Sequence, residues 1–311
     1  MIPRLEDIPG AIVHDDAVGV SIDWHRVERV LPDGPYDLDL EAIYTGWVKE
    51  WLQRIRSHWG GEYQLYESAN FLILSPDGPA RARNLARLGA KTLTIAGEVS
   101  GGLATKSGVG KFVCVVADEQ DRYYGYLARH DGPGDRIASA GVFIGQGYAH
   151  FLLNCGEAWS QEQTFVHELT HALLLGRALP LWLEEGVTQA MEATVFDDPY
   201  PHLTRDEAAR HRRFWSREGL TGYWSGASFF RPDDASELSY TLSRTLLRSI
   251  RSHGDRKFFE FLARVEHRDL ADSASREVYG VPLEHWAAAF LGPGDWSPAE
   301  AIARVGESRQ D

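Results

Sequence analysis

The sequence predicts an α+β fold, in which a small mixed sheet with helices is followed by a mainly helical half. Three observations predict it. Short apolar or alternating runs suited to strands are concentrated between residues 62 and 153, interleaved with helical periodicity. From about residue 160 onward the apolar spacing is almost entirely helical. The composition, 43% hydrophobic and 25% charged with ten tryptophans, supplies a sizeable core and argues against a disordered or fibrous chain.

Taken in order, residues 1–37 are rich in Pro, Gly and Asp and show no sustained period. From Asp39 to His58, Ile43, Trp47, Val48, Trp51, Leu52 and Ile55 recur at helical spacing. Glu62 to Ser75 alternates and then runs apolar through Phe71 to Leu74, which suits one or two strands. Pro79 to Glu98 reads as a helix, Lys111 to Ala117 as a buried strand and Glu119 to Ala128 as a short helix. Gly141 to Leu153 is β-branched, aromatic and glycine-containing, so it reads as a strand pair or a bulged strand. Helices are expected near 161–176, 181–195, 204–218, 236–253, 255–267 and 282–291. Pro293, Gly294 and Pro298 mark a peripheral tail. The expected division is an N-terminal extension and helix over 1–61, one domain over 62–292 with an α/β part (62–153) and a helical part (154–292), and the tail 293–311.

Charge and motifs exclude several classes. With 32 basic against 45 acidic residues the formal net charge is −13. Such a surface repels nucleic acid and anionic membrane, so neither is expected as a partner. Cys114 and Cys155 make no disulfide framework and no Cys-x-x-Cys pair. Glu6, Asp7, His14, Asp15 and Asp16 interrupt any signal-peptide core, and the apolar run from Ala172 to Leu183 is broken by Arg177 and Pro180. A cytoplasmic protein is expected. The glycine-rich stretch Gly101 to Lys111 has Thr105 where a phosphate loop needs its first Gly, and Phe112 follows the Lys, so it reads as a connector. No Gly-x-Ser-x-Gly elbow occurs. Tyr123, Tyr124 and Tyr126 read as core.

The segment that carries chemistry is His167-Glu168-Leu169-Thr170-His171. Positions four apart share a helix face, so two imidazoles there can grip one Zn²⁺, while Glu168 beside them reaches an attacking water without ligating. Chance supplies about 0.03 such matches in a chain of this composition, treating positions as independent. The flanking Phe165, Val166, Leu169 and Leu173 place the motif on a helix with a buried face. Catalytic zinc takes three protein ligands and an open position. Gly176 can end the motif helix and Pro180 can open the next. His171 and Glu185 are equidistant from residue 178, so an antiparallel helix pair brings them level and makes Glu185 the third ligand. Glu184, about 100° away around the helix, faces solvent or an outer partner.

His-Glu-Leu-Thr-His followed by Leu-Trp-Leu-Glu-Glu-Gly resembles the gluzincin metallopeptidases, the clan of thermolysin and the zinc aminopeptidases, and most nearly its bacterial peptidase-like domains with a short connection. The likeness extends over residues 62–292. It implies zinc held by His167, His171 and Glu185, Glu168 as general base and then acid, and Tyr240, on a late helix, as oxyanion donor; a half-buried structural tyrosine is the alternative for Tyr240. The gap between His171 and Glu185 is shorter than in thermolysin or the aminopeptidases. Thr188 and Ala190 replace the usual Ala and Tyr, whereas Glu192 keeps an acidic place. The acidic amine-binding motif of the aminopeptidases is missing from the presumed edge strand Ala140 to Gly145.

His202, His211, His253, His267 and His285 lack ligand spacing and read as ordinary surface or packed histidines. Phe214, Trp215, Tyr223, Trp224, Phe229 and Phe230 can wall a cleft or fill the core. The expected function is a zinc-dependent metallopeptidase acting on a peptide or protein, with an extended substrate paired to the strand around Gly141 to Gly145 and restricted or endopeptidase cleavage. The alternatives are a non-catalytic, metal-stabilised scaffold and a zinc hydrolase of a non-peptide amide.

Overall fold

The α+β prediction is realised in the computed structural model, which describes residues 3–15, 18–31, 39–130, 140–198 and 203–307. The chain divides into two units, Met1–Thr92 with Lys106–Ala172, and Leu93–Thr105 with Leu173–Asp311.

The first unit opens with an antiparallel pair, β1 (Ile12–Asp15) and β2 (Gly19–Ile22), then α1 (Trp24–Glu28) and α2 (Leu40–Trp59). Asp39 caps α2 by accepting from Ala42 N, and Gly60, at φ +74°, ends it. There follow β3 (Gln64–Glu67), β4 (Phe71–Ser75), α3 (Gly78–Ser100), β5 (Phe112–Val116), α4 (Gln120–Leu127), β6 (Gly141–Ile144), β7 (His150–Leu153) and α5 (Ala158–Leu174). The five-stranded sheet has the order β3-β4-β5-β7-β6. Its three inner strands are parallel and both outer strands antiparallel. The inner strands are apolar without interruption because both faces are covered.

On one face Leu72, Leu74, Val113, Val115 and Leu152 join Trp47, Val48, Trp51, Leu52 and Ile55 of α2. Leu5, Ile8, Val18, Ile22, Trp24 and Val27 complete that cluster, so the aperiodic N-terminal segment contributes a hairpin and a short helix to the core. Elements of four or five residues are too short to display a period. On the other face Phe71, Phe112 and Phe151 stack in a row at 5.5 and 6.2 Å. Phe165 of α5 meets Phe71 and Phe151 edge-on at 5.7 and 5.8 Å. A side chain at Gly89 of α3 would overlap the Phe71 ring. Arg81 of α3 holds α5 through Glu162 (2.5 Å) and Gln161 (3.2 Å), and Asn84 adds a bond to Glu162 at 2.6 Å.

The second unit contains α6 (Leu181–Val195), α7 (Arg205–Phe214), α8 (Arg217–Trp224), α9 (Asp234–Arg251), α10 (Asp255–Arg264), α11 (Asp272–Tyr279), α12 (Leu283–Leu291) and α13 (Ala299–Glu307). The helix expected over 204–218 is two helices. Trp215 turns to extended backbone, buried against Tyr223, and Ser216 caps α8 by accepting from Gly219 N. The segment expected to be peripheral is packed instead. Trp296 is buried, its carbonyl accepts from Trp224 Nε1 at 3.0 Å, and Ala301 of α13 is fully buried. Pro293, Gly294 and Pro298 punctuate this segment before α13 without ending the fold. Among the described residues no helix is long and apolar enough to cross a membrane.

Among the described residues each unit buries one neutral histidine. His150 Nδ1 donates to Tyr148 O (2.8 Å), which leaves Nε2 to accept from Tyr126 OH (2.7 Å). Trp215 Nε1 donates to His211 Nδ1 at 3.1 Å. Burial pushes both imidazoles down to about 4. The unfolded chain, with ordinary imidazoles, therefore takes up protons first as pH falls. The stabilisation is fully present above about pH 6.5 and is lost towards pH 4, at about 1.4 kcal/mol per pH unit for His150. Urea unfolding at pH 7, 6 and 5 should show a falling midpoint, and a midpoint flat over this range would contradict the assignment.

Candidate metal centre

The amphipathic character of α5 sets the centre. Phe165, Val166, Leu169 and Leu173 are buried. Helical spacing then puts Thr164, His167, Glu168 and His171 on a different stripe. His167 and His171 face each other with Nε2 atoms 3.1 Å apart and ring centroids at 4.8 Å. Glu185 of α6 is 5% exposed. One ligand atom from each of His167, His171 and Glu185 lies within 4.8 Å of the others, and this group can hold a metal ion.

The donor set fits such an ion. Two nitrogens each about 2.0–2.1 Å from a tetrahedral metal lie about 3.3 Å apart, close to the separation of the two imidazoles. A buried carboxylate is costly unless a cation or donors meet it, and a bound metal would answer that cost. Glu168 is 9% exposed, one residue beyond His167 and outside the three-residue group.

Local chemistry explains how the chain reaches α6. α5 ends at Leu174, Gly176 takes φ +82° and Ala178 φ +48°. The left-handed alanine costs roughly 1–2 kcal/mol, which surrounding bonds must offset. Arg177 supplies two of them, donating to Leu103 O (2.8 Å) and Thr105 Oγ1 (2.9 Å). Thr105 N donates to Leu173 O at 2.9 Å. The glycine-rich connector thus laces the turn. Its Lys111 ammonium is bound by Glu67 and Ser68 O. Pro180 is the N-cap of α6, and its carbonyl accepts from Leu183 N and Glu184 N.

The rotation of α6 is fixed by Trp182, Gly186 and Gln189, spaced at i, i+4 and i+7. Trp182 Nε1 donates to Leu270 O at 3.1 Å. A Cβ at Gly186 would lie 3.2 Å from Leu247 Cβ and Ser243 O of α9. Gln189 Nε2 donates to Tyr240 O (2.9 Å) and to Glu185 O (3.3 Å). This anchoring amide, one turn beyond Glu185, escaped the sequence reading, where only its helical spacing from Glu185 signalled it. The Tyr240 main chain is tied to α6 in this way, and its half-buried ring stands edge-on to Phe229 at 5.2 Å.

The other candidates lie elsewhere. His211 is core, His253 and His285 are exposed, and His267 is partly buried. Among the described residues none of these four joins a metal-holding group, and His202 lies outside the described residues. Trp215, Tyr223, Trp224 and Phe229 pack the core, whereas Phe230 is 67% exposed. Burial pushes the Cys114 thiol up, so it offers no thiolate.

Replacing His171 or Glu185 by Ala should weaken metal binding by more than the about 10–100-fold that loss of an outer partner costs, read by elemental analysis and chelator competition. Glu184→Ala should retain the metal. The opposite pattern at 184 and 185 would show that the wrong carboxylate has been assigned. Neither protein-family models nor curated proteins match this chain, so the donor set and its geometry carry the chemical assignment.

Proposed function

We propose that the chain is a zinc-dependent metallopeptidase that hydrolyses peptide bonds. The observation that carries this reading is the position of Glu168, next to His167 on α5 and buried, yet outside the His167, His171 and Glu185 donor group. A structural metal site has no use for a second carboxylate held there. Two imidazoles and one carboxylate suit zinc, which, when bound, polarises a water and the substrate carbonyl.

The chain's own residues do the remainder. Glu168 takes a proton from the water as its oxygen attacks the carbonyl carbon, then delivers that proton to the amine nitrogen as the C–N bond breaks. The resemblance to gluzincins assigns the Tyr240 hydroxyl as donor to the developing oxyanion. The outer strand β6 lies beside the motif helix, with Gly141 against Thr164 of α5. An extended peptide added to that edge gains main-chain hydrogen bonds without a strict sequence requirement.

Glu168→Gln separates this reading from a metal-stabilised scaffold. The substitution keeps size and ligands, so metal content and melting temperature should change little. Turnover should fall by about 10²–10⁴-fold. Tyr240→Phe should cost on the order of 10²-fold. Undiminished hydrolysis by a Glu168→Gln preparation would sink the mechanism. Metal-loaded wild type that cleaves nothing in a broad peptide library would favour the scaffold, or an amide that is not a peptide.

A further inference from the structure

Asn154 N donates to Ala140 O at 2.8 Å, and residues 140 and 154 continue the register in which Gly141 faces Leu153 and Ile144 faces His150. In an antiparallel pair, residues that exchange hydrogen bonds alternate with residues that do not. Val142 and Ile144 therefore turn their main-chain groups towards β7, as Ala140 does, and Gly141 and Phe143 turn theirs outward. β6 ends the strand order, so these outward groups lie on the outer edge of the described sheet.

The same two residues face α5. A Cβ at Gly141 would lie 2.5 Å from Thr164 Cγ2, on the helix stripe that also carries Glu168 and His171. The Phe143 ring lies 5.7 Å from Phe151, which Phe165 of α5 also meets. Val142 and Ile144 point to the opposite face, in the cluster with Trp24 and Trp51. Thr164 fills the α5 face at Gly141. Among the described residues that face is open beyond Phe143, because exposed Gly145 has no side chain and the nearest atom to a Cβ there would be Phe143 Cε1 at 3.8 Å.

We infer that Phe143 is a specificity-determining residue, which selects a peptide bearing an aromatic or large aliphatic side chain at the position paired with it. The inference rests on the peptidase reading. A residue directly opposite Phe143 in an added strand places its side chain on the same face, with Cβ atoms about 4.5–5.5 Å apart. Most of the Phe143 surface is already covered, and the partly exposed remainder meets that side chain, which extends over Gly145. Gly141, Phe143 and Gly145 offer no charge, and the Thr164 hydroxyl is spent on Ser160 O at 2.9 Å. Among these described residues an acidic or basic side chain at that position finds no partner.

The test uses metal-loaded, full-length protein. Binding of fluorescent peptides to the Glu168→Gln form is read by anisotropy, with one position varied through Phe, Leu, Ala, Asp and Lys. Cleavage of the same series by wild type locates the preferred position. The expected result is a preference for Phe and Leu over Asp and Lys of about ten-fold or more. Phe143→Ala should erase that preference and Phe143→Leu should retain it in part, both at unchanged metal content. N-methylation of the preferred residue should abolish binding, because it removes the donor to the edge. Peptides that are bound or cleaved with a side-chain preference indifferent to Phe143 would overturn the inference and leave the peptidase reading intact. Wild type that neither binds nor cleaves any peptide would overturn both. Should Phe143→Ala unfold, Phe143→Leu and the N-methyl series still decide.

Discussion

The seating of Phe165 between Phe71 and Phe151 is the contact on which the rest of the centre depends. It fixes which side of α5 is buried in the sheet, and a helix has no second choice once one face is fixed. The stripe with Thr164, Glu168 and His171 is what remains. The aromatic row beneath is itself set by strand alternation, since Phe71 and Phe112 are register partners in neighbouring parallel strands. The missing side chain at Gly89 lets α3 press on the same row, and Arg81 then holds α5 through Glu162. Apolar packing sets the rotation of the motif helix, and a largely buried ion pair holds its first half.

α6 follows the same logic with different chemistry. Trp182, Gly186 and Gln189 form one stripe, each by a different means: an indole donor, a missing side chain and an amide. Together they present Glu185 at a defined angle. The third is the most economical, because a single amide ties the turn bearing Glu185 to the backbone of α9. Replacing Gly186 would push on Leu247 and on a main-chain carbonyl, neither of which can yield easily.

Much of this was legible in the sequence, for reasons specific to particular residues. The motif residues lie within one helix, where spacing dictates proximity. Gly176 and Pro180 punctuate the turn as their backbone preferences require, so the level of Glu185 followed from counting. The N-terminal hairpin stayed hidden because Ile12–Asp15 and Gly19–Ile22 are too short to show alternation. The break at Trp215 was hidden for another reason: a continuous helical pattern runs across it, and the buried Trp215 with the Ser216 cap overrides that pattern. The packed segment around Trp296 misled because proline and glycine signal a chain end as readily as a buried corner. Contacts such as Gln189 with Tyr240 join residues far apart in sequence and leave no periodic trace.

The two ends of the sheet differ in how they meet other chains. An unpaired strand edge templates aggregation unless it is short, charged or covered. At β3 the end residue Glu67 is bound by both Lys49 and Lys111, so an incoming strand meets a charged cluster there. β6 is four residues long, and only Gly141 and Phe143 turn their hydrogen-bonding groups outward. Two residues suffice to register a short peptide and are too few to nucleate an extended intermolecular sheet. The brevity of β6 would thus reconcile the proposed transient pairing with resistance to aggregation, and a substitution that lengthened the strand would exchange one for the other.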